Sequence, residues 1–332
     1  MEEKLLKLLR TKCGEKNFNK LMAVKNPFVH EFVARYVELC EPEKVFVRSN
    51  ADEDIRYIRN KAIESGEEKP LAMEGHTIHF DGYYDQARDT VNTKYLLPPD
   101  VDLGADIRST DKRKGLEEVY ELLRNIMEWK EMYVCFFCLG PIDSEFSIPA
   151  LQITDSRYVA HSEDILIRNG YEYFQKIGPT NDFFKFVHSA GVLEGRVSKN
   201  VNKRRVYIDL EDNIVFSVNT QYAGNTVGLK KLAMRLAIRK ASYEGWLTEH
   251  MFIMGVHGPH NRVTYFTGSF PSACGKTATS MLEGETIVGD DIAYLKNIGG
   301  KVRAVNVERL SLIHISEPTR PLYISYAVFC LK

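Results

Sequence analysis

The chain lacks an excess of charge of either sign: 44 Lys and Arg face 45 Asp and Glu over 332 residues, for a net charge of −1. Without a basic surplus to neutralise phosphates, the composition argues against a nucleic-acid binder. Nowhere is there an uninterrupted apolar run of about 18 residues, the length a membrane-crossing helix needs. The first residues, MEEKLLKLLRTKC, carry charges where a secretory signal would carry an apolar core. Cysteine is scarce, with six in the chain and no framework spacing, which excludes a small disulfide-stapled scaffold. Internal repeats and low-complexity segments are also missing. What remains, 44% hydrophobic and 27% charged residues, describes an ordinary globular protein with the length for about two domains. A cytoplasmic protein with no membrane partner is the expectation.

The most informative stretch is YFTGSFPSACGKTATSMLEGETIVGDDIAY, from Tyr265 to Tyr294. It predicts a strand, a small-residue loop ending in Gly275-Lys276-Thr277, a short helix, a second strand and the paired carboxylates Asp290-Asp291. A loop feeding a helix start aims unpaired backbone N–H groups at one point, where they can hold an anion. Lys276 would lie against the β- and γ-phosphates of a nucleoside triphosphate, and Thr277 would offer its hydroxyl to Mg²⁺. The carboxylates would complete the metal shell. The generic phosphate-loop pattern is met only in part, because Phe270 stands at its first glycine position. A bare GKT is a weak signal; the flanking strand and the V-G-D-D that follows raise it.

FPSACGKT followed by VGDDIA resembles the nucleotide and metal motifs of the GTP-dependent phosphoenolpyruvate carboxykinases, including the aromatic at the first-glycine position. A departure is Ala278, where that family usually has Asn. The resemblance implies nucleotide contacts from Ala273, Cys274, Gly275, Lys276, Thr277, Ala278 and Asp290, with Cys274 and Lys276 as catalytic residues and Cys274 as a reactive thiol. DQARDTVNTKYL is similar to the family segment whose arginine holds the substrate carboxylate and phosphate, which puts that role on Arg88. Arginine suits it through the bidentate fork of its guanidinium. Without the resemblance, an Arg between Asp85 and Asp89 reads as a surface ion pair. Tyr222, Ala223, Gly224 and Asn225, with Ser272, would position the substrate. Lys231, His250 and Asp291 match the family's Mn²⁺ ligands, the lysine in its deprotonated form, and a second metal, Mg²⁺ or Mn²⁺, would accompany GTP.

The implied reaction is Mn²⁺-dependent decarboxylation of oxaloacetate with phosphoryl transfer from GTP, giving phosphoenolpyruvate, CO₂ and GDP, a step of gluconeogenesis. The resemblance also implies a monomer. Two other readings compete. A phosphate-loop kinase acting on a hydroxyl would need neither Lys231 nor His250, and a non-catalytic GTP-binding module would bind nucleotide without chemistry on oxaloacetate.

The rest of the chain reads as α/β. Residues 1–71 are mostly helical, with Leu5, Leu6 and Leu9, then Val29, Phe32, Val33 and Val37 at helical spacing, interrupted by the β-like KVFVRSN. DEDIRYIRNKAIESG predicts a helix stopped by Gly66. An amphipathic helix over 114–131 precedes an apolar strand over 132–139 that carries Cys135 and Cys138, which read as core packing because residues three apart on a strand face opposite ways. RVYIDL and NIVFSVNT predict a hairpin around Glu211-Asp212-Asn213. Leu229, Leu232, Ala233, Leu236 and Ala237 mark one face of a helix ending near Gly245. Lys230 and Lys231 fall near its positive N-terminal end, so each ammonium there must be solvated or neutralised. His76 and His79 read as structural.

The expected organisation is a mixed α+β substrate domain over 1–245, an incomplete phosphate-loop nucleotide domain over 246–309, and a non-native tail over 310–332. From Leu310 the family resemblance stops. LSLIHISEPTR, followed after three residues by ISYAVFCL, resembles a frame translation of a transposase-type sequencing adapter, an index and a flow-cell primer. The fragment is expected to lack turnover. Amplifying codons 300 to 332 from the source genome, without that library, should show the frame continuing past Glu308 into family-like sequence; a native gene ending in ISYAVFCLK would refute the adapter reading.

Overall fold

A computed structural model describes residues 3–85, 89–271 and 274–309. Its centre is a nine-stranded mixed sheet. Across it run Lys44–Arg48, Glu131–Leu139, Ile148–Thr154, Phe184–Ser189, Ile214–Val218, Arg205–Asp209, Thr93–Leu97 and Ser109–Asp111, with the short Arg168–Asn169 beside Glu131–Leu139. Glu131–Leu139 is buried along its whole length and shows why the sheet is central. Met132, Val134 and Phe136 enter one apolar cluster with Leu9, Val33 and Val119, whereas Tyr133, Cys135, Phe137 and Leu139 enter the other with Ala160, Leu229 and Leu236. The strand's twofold alternation therefore feeds two cores. Helices Glu3–Ala23, Pro27–Cys40 and Lys112–Leu123 contribute to the first, and Asp52–Glu64, Arg157–Leu166 and Thr226–Glu244 to the second. Each large apolar side chain so buried stabilises the fold by about 1.5–3 kcal/mol before entropy is subtracted.

The predicted hairpin is present: Asp209 pairs with Ile214 and Arg205 with Val218 in antiparallel register. So are the helix Asp52–Glu64, followed by Gly66 at φ 76, and the helix Thr226–Glu244, closed by Gly245 at φ 73. A residue past the helix end needs this left-handed conformation, which glycine adopts without Cβ strain. The helix expected over 114–131 is a correction: it covers Lys112–Leu123 only. Asn125 turns to φ 56, and the N–H groups of Asn125 and Met127 bond to the carbonyls of Leu39 and Cys40. Bonds to the end of another helix replace the next helical turn. HTIHF yields a strand of two residues, Thr77–Ile78.

Beyond Gly245 come two small sheets. Val263–Ser269, Met251–His257 and Thr286–Gly289 form one, and Leu247–Glu249, Ala293–Ile298 and Lys301–Asn306 the other. Ile292, Tyr294 and Val307 enter the second core of the large sheet, so this segment is anchored on the helix Thr226–Glu244 side. Val263–Ser269 is an edge strand with Tyr265 and Phe266 exposed. The tail over 310–332 lies outside the described residues. Among the described residues no helix is long and apolar enough to cross a membrane.

Cys13, Cys40, Cys135 and Cys138 are buried free thiols, and burial pushes Cys13 and Cys135 up to about 12 and Cys138 up to about 11. Cys274 is exposed. Brief alkylation of the folded protein at pH 8, followed by peptide mapping, should label Cys274 first among these five and leave the other four unmodified until denaturant is added.

Candidate active site

The site forms where the hairpin strand Ile214–Val218 ends and the helix Thr226–Glu244 begins. Asn225 caps that helix: its Oδ1 accepts the Gly228 N–H at 3.1 Å, and its Nδ2 donates to the Tyr158 hydroxyl at 3.2 Å. Gly224 presses on His188, whose ring is fixed between the Thr154 hydroxyl (2.7 Å) and the Thr220 carbonyl (2.6 Å). A Cβ at Gly224 would lie 2.1 Å from that ring, and one at Gly228 would lie 2.0 Å from the Tyr222 carbonyl oxygen. Both glycines are therefore required by close approach. From the other side, Asp85 accepts from the Thr220 hydroxyl (2.5 Å) and the Gln221 N–H (2.6 Å), and Asp89 pairs with Arg204 at 2.6 Å. Asp85 thus anchors the loop, while Asp89 is spent on Arg204 and on Val91 and Asn92. Arg88, between them, lies outside the described residues, as do Ser272 and Ala273.

Two cavities meet here. The first, of about 280 Å³, is lined by Tyr222, Ala223, Arg204, Arg235, Lys231 and His250, among others. The second, of about 430 Å³, is lined by Lys231, His250, Asp291, Gly275, Lys276, Thr277 and Ala278 with Phe270 and Pro271. Lys231 and His250 are shared by both. The strand, loop, helix, strand and paired carboxylates occur in the expected order, but the helix Lys276–Ser280 has only five residues, so few peptide dipoles align behind the loop. Gly275 precedes it at φ 94. Thr277 lines the second cavity and is exposed, as is Cys274, while Asp290 is 2% exposed.

Electrostatics single out Asp291. Its Oδ2 lies 2.6 Å from Lys230 Nζ and its Oδ1 2.6 Å from Lys276 Nζ. Burial alone would raise its pKa, but the fields and hydrogen bonds of these two ammonium groups outweigh that and hold it far below the usual carboxylate range. Lys230 is buried and also meets Glu308 Oε1 at 2.9 Å. The two carboxylates outweigh desolvation and raise its pKa, so it is a permanent cation. Desolvation, and then the nearby Asp291 and Asp290 against the pull of Lys230, leave Glu308 raised to about 7. His250 is lowered by burial; the charge of Asp291 opposes this, and Lys276, Lys231 and Lys230 add to it. These effects favour its neutral form.

Among the described residues no group of three or more His, Cys, Asp or Glu gathers as a metal site. The donor set here is a carboxylate, an imidazole and a lysine, and it fits a divalent cation on one direct observation: His250 Nε2 is buried without a hydrogen-bond partner. Neutral imidazole nitrogen and ionised carboxylate are the forms a cation such as Mn²⁺ requires.

Comparison with known proteins gives the family. The family model of the phosphoenolpyruvate carboxykinase N-terminal domain matches residues 31–242, and that of the phosphoenolpyruvate carboxykinase C-terminal P-loop domain matches residues 246–313. The chain belongs to the phosphoenolpyruvate carboxykinase family. Among its relatives, a protein of Pyrococcus abyssi is 56% identical over 295 residues, 89% of this chain and 48% of its own length. One of Thermococcus kodakarensis is 55% identical over 308 residues, covering 92% and 49%. One of Saccharolobus solfataricus is 46% identical over 289 residues, covering 87% and 45%. All three are named phosphoenolpyruvate carboxykinase [GTP]. The chain spans about half the length of these curated relatives.

Arg204 and Arg235 line the first cavity, and Lys230 and Glu308 pair beside Asp291; none of the four was singled out as a site residue by sequence patterning. The sequence signal for Lys230 was its place beside Lys231 at a helix start, which required neutralisation without naming the partner. Glu308 had no local signal. A Gly224→Ala substitution should lower stability by about 1–3 kcal/mol, read as a drop in denaturant midpoint. It should also displace the 222–225 loop, read as a change in Tyr222 environment.

Proposed function

We propose that the protein of which this chain forms the described part converts oxaloacetate and GTP to phosphoenolpyruvate, CO₂ and GDP. The observation that carries this reading is the joint between the two cavities, where Lys231 and His250 face both the 222–225 loop and the Lys276-Thr277 loop. A reaction that decarboxylates one molecule and then phosphorylates the product needs both reactants on either side of one point.

On this reading oxaloacetate occupies the smaller cavity, beside Tyr222 and Arg235, with Arg88 and Ser272 as further positioning groups. Lys231, His250 and Asp291 would hold a divalent cation, Mn²⁺. When bound, it supplies Lewis acidity that stabilises negative charge on the substrate oxygen. Cleavage of the carboxylate bond releases CO₂ and leaves its electron pair on the enolate oxygen. That oxygen takes the γ-phosphoryl group, and GDP leaves. Lys276 meets the charge of the transferring phosphoryl group, Thr277 and Asp290 serve the metal that accompanies the nucleotide, and Gly275 lets the backbone approach the phosphates closely. Cys274 stands exposed beside them. The described thiols are all free, which supports a cytoplasmic setting, and the reaction suits gluconeogenesis in a monomeric enzyme.

Phosphoenolpyruvate formation should be assayed with oxaloacetate, GTP and Mn²⁺. The 332-residue chain should show no turnover, and a chain continued past Glu308 with the native gene's frame should be active. In the continued chain His250→Ala should lower kcat/KM at least about 10²-fold. Full activity of His250→Ala would sink the assignment, and GTP binding without any conversion would favour a non-catalytic nucleotide-binding protein.

A further inference from the structure

Both oxygens of Asp291 are taken up by ammonium groups, but the two ion pairs are not equivalent. Lys230 is buried and has a second counter-ion, Glu308, 2.9 Å away, so moving it would leave both its own charge and the buried Glu308 without a partner. Lys276 hydrogen-bonds only to Asp291 among the described residues, to Oδ1 at 2.6 Å and to the main-chain oxygen at 3.0 Å. Its side chain is 16% exposed and lines the cleft it shares with His250. Lys230 is fixed; Lys276 can leave.

We infer that Lys276 is an internal placeholder for a divalent cation on Asp291, and that the cation displaces it and thereby frees it for an anion. The inference rests on the reading that Lys231, His250 and Asp291 bind a cation. A dication reaching the unpartnered His250 Nε2 and Asp291 competes directly with the Lys276 ammonium for the Oδ1 oxygen. Charge repulsion drives the lysine out, and the cleft bounded by Gly275 and Thr277 is where its tether allows it to go. In the cation-free protein the lysine is occupied, and an incoming phosphate must break its ion pair. Cation and phosphate therefore bind cooperatively, beyond any direct contact between them. Without the cation, the two ion pairs also keep the Asp291 carboxylate compensated.

The test uses the metal-free chain and Mn²⁺ alone, with no nucleotide. Brief acetylation with N-hydroxysuccinimidyl acetate, followed by peptide mass spectrometry, should show Lys276 labelling rise about tenfold on adding Mn²⁺, while Lys230 stays unlabelled. Metal binding usually protects a site, so the direction is diagnostic. In parallel calorimetry, Lys276→Gln should bind Mn²⁺ more tightly than the unaltered protein, and Lys276→Arg, which keeps the ion pair, should not. If Mn²⁺ binds but labelling of Lys276 is unchanged or falls, the placeholder inference is overturned and the cation site stands. If no Mn²⁺ binds, both are overturned.

Discussion

The structure of the site depends on one buried cation. Lys230 sits between Asp291 and Glu308 with almost no solvent contact. Three charges withdrawn from water are tolerable only as a set. Removing Lys230 leaves Glu308 buried without a cation, at a cost on the order of 3–5 kcal/mol. The lysine belongs to the helix Thr226–Glu244, and the carboxylates belong to the segments before Ala293–Ile298 and after Lys301–Asn306. The triad thus ties the helix to the phosphate-loop segment and sets the orientation of Asp291. The apolar contacts of Ile292, Tyr294 and Val307 with the second core add area to the same junction.

A second constraint is steric. The loop over 219–225 is held from below by His188, from the side by Asp85 and at its end by the Asn225 cap. Gly224 and Gly228 let the backbone come within reach of neighbours that a Cβ would strike. A helix start this tightly packed presents Lys231 and Tyr222 to the cavities with little freedom, the condition for placing reacting groups to within a fraction of an ångström. The carboxylates flanking Arg88 are spent on Arg204, Thr220 and Gln221, which shows that charged residues near a site can serve to hold a loop.

Elements with a strong local pattern were legible from sequence. The helix Thr226–Glu244 announced itself by its apolar stripe and its closing glycine, the hairpin by its alternation and turn, and the phosphate-loop order by its small residues and paired aspartates. The strand Phe184–Ser189 was not legible, because it is buried on both faces and its FKFVHS shows no clean alternation. The helix over Lys112–Leu123 was read too long, since its end is decided by carbonyls of Leu39 and Cys40, far away in the chain.

By itself, then, the sequence determined most of the element types and the order of strand, loop, short helix, strand and paired aspartates, and it singled out Lys231, His250, Asp291 and Lys276, which the fold gathers around one cavity. Tertiary structure alone decided which of two adjacent lysines becomes a buried ion and which faces the cleft. Neighbours on a helix point about 100° apart, and only the packed partners show which direction is inward. It alone also brought Glu308 to Lys230 and Lys276 to Asp291. The reason is physical: periodicity is a property of a few consecutive residues, whereas the partner of a charge is chosen by desolvation and distance in three dimensions.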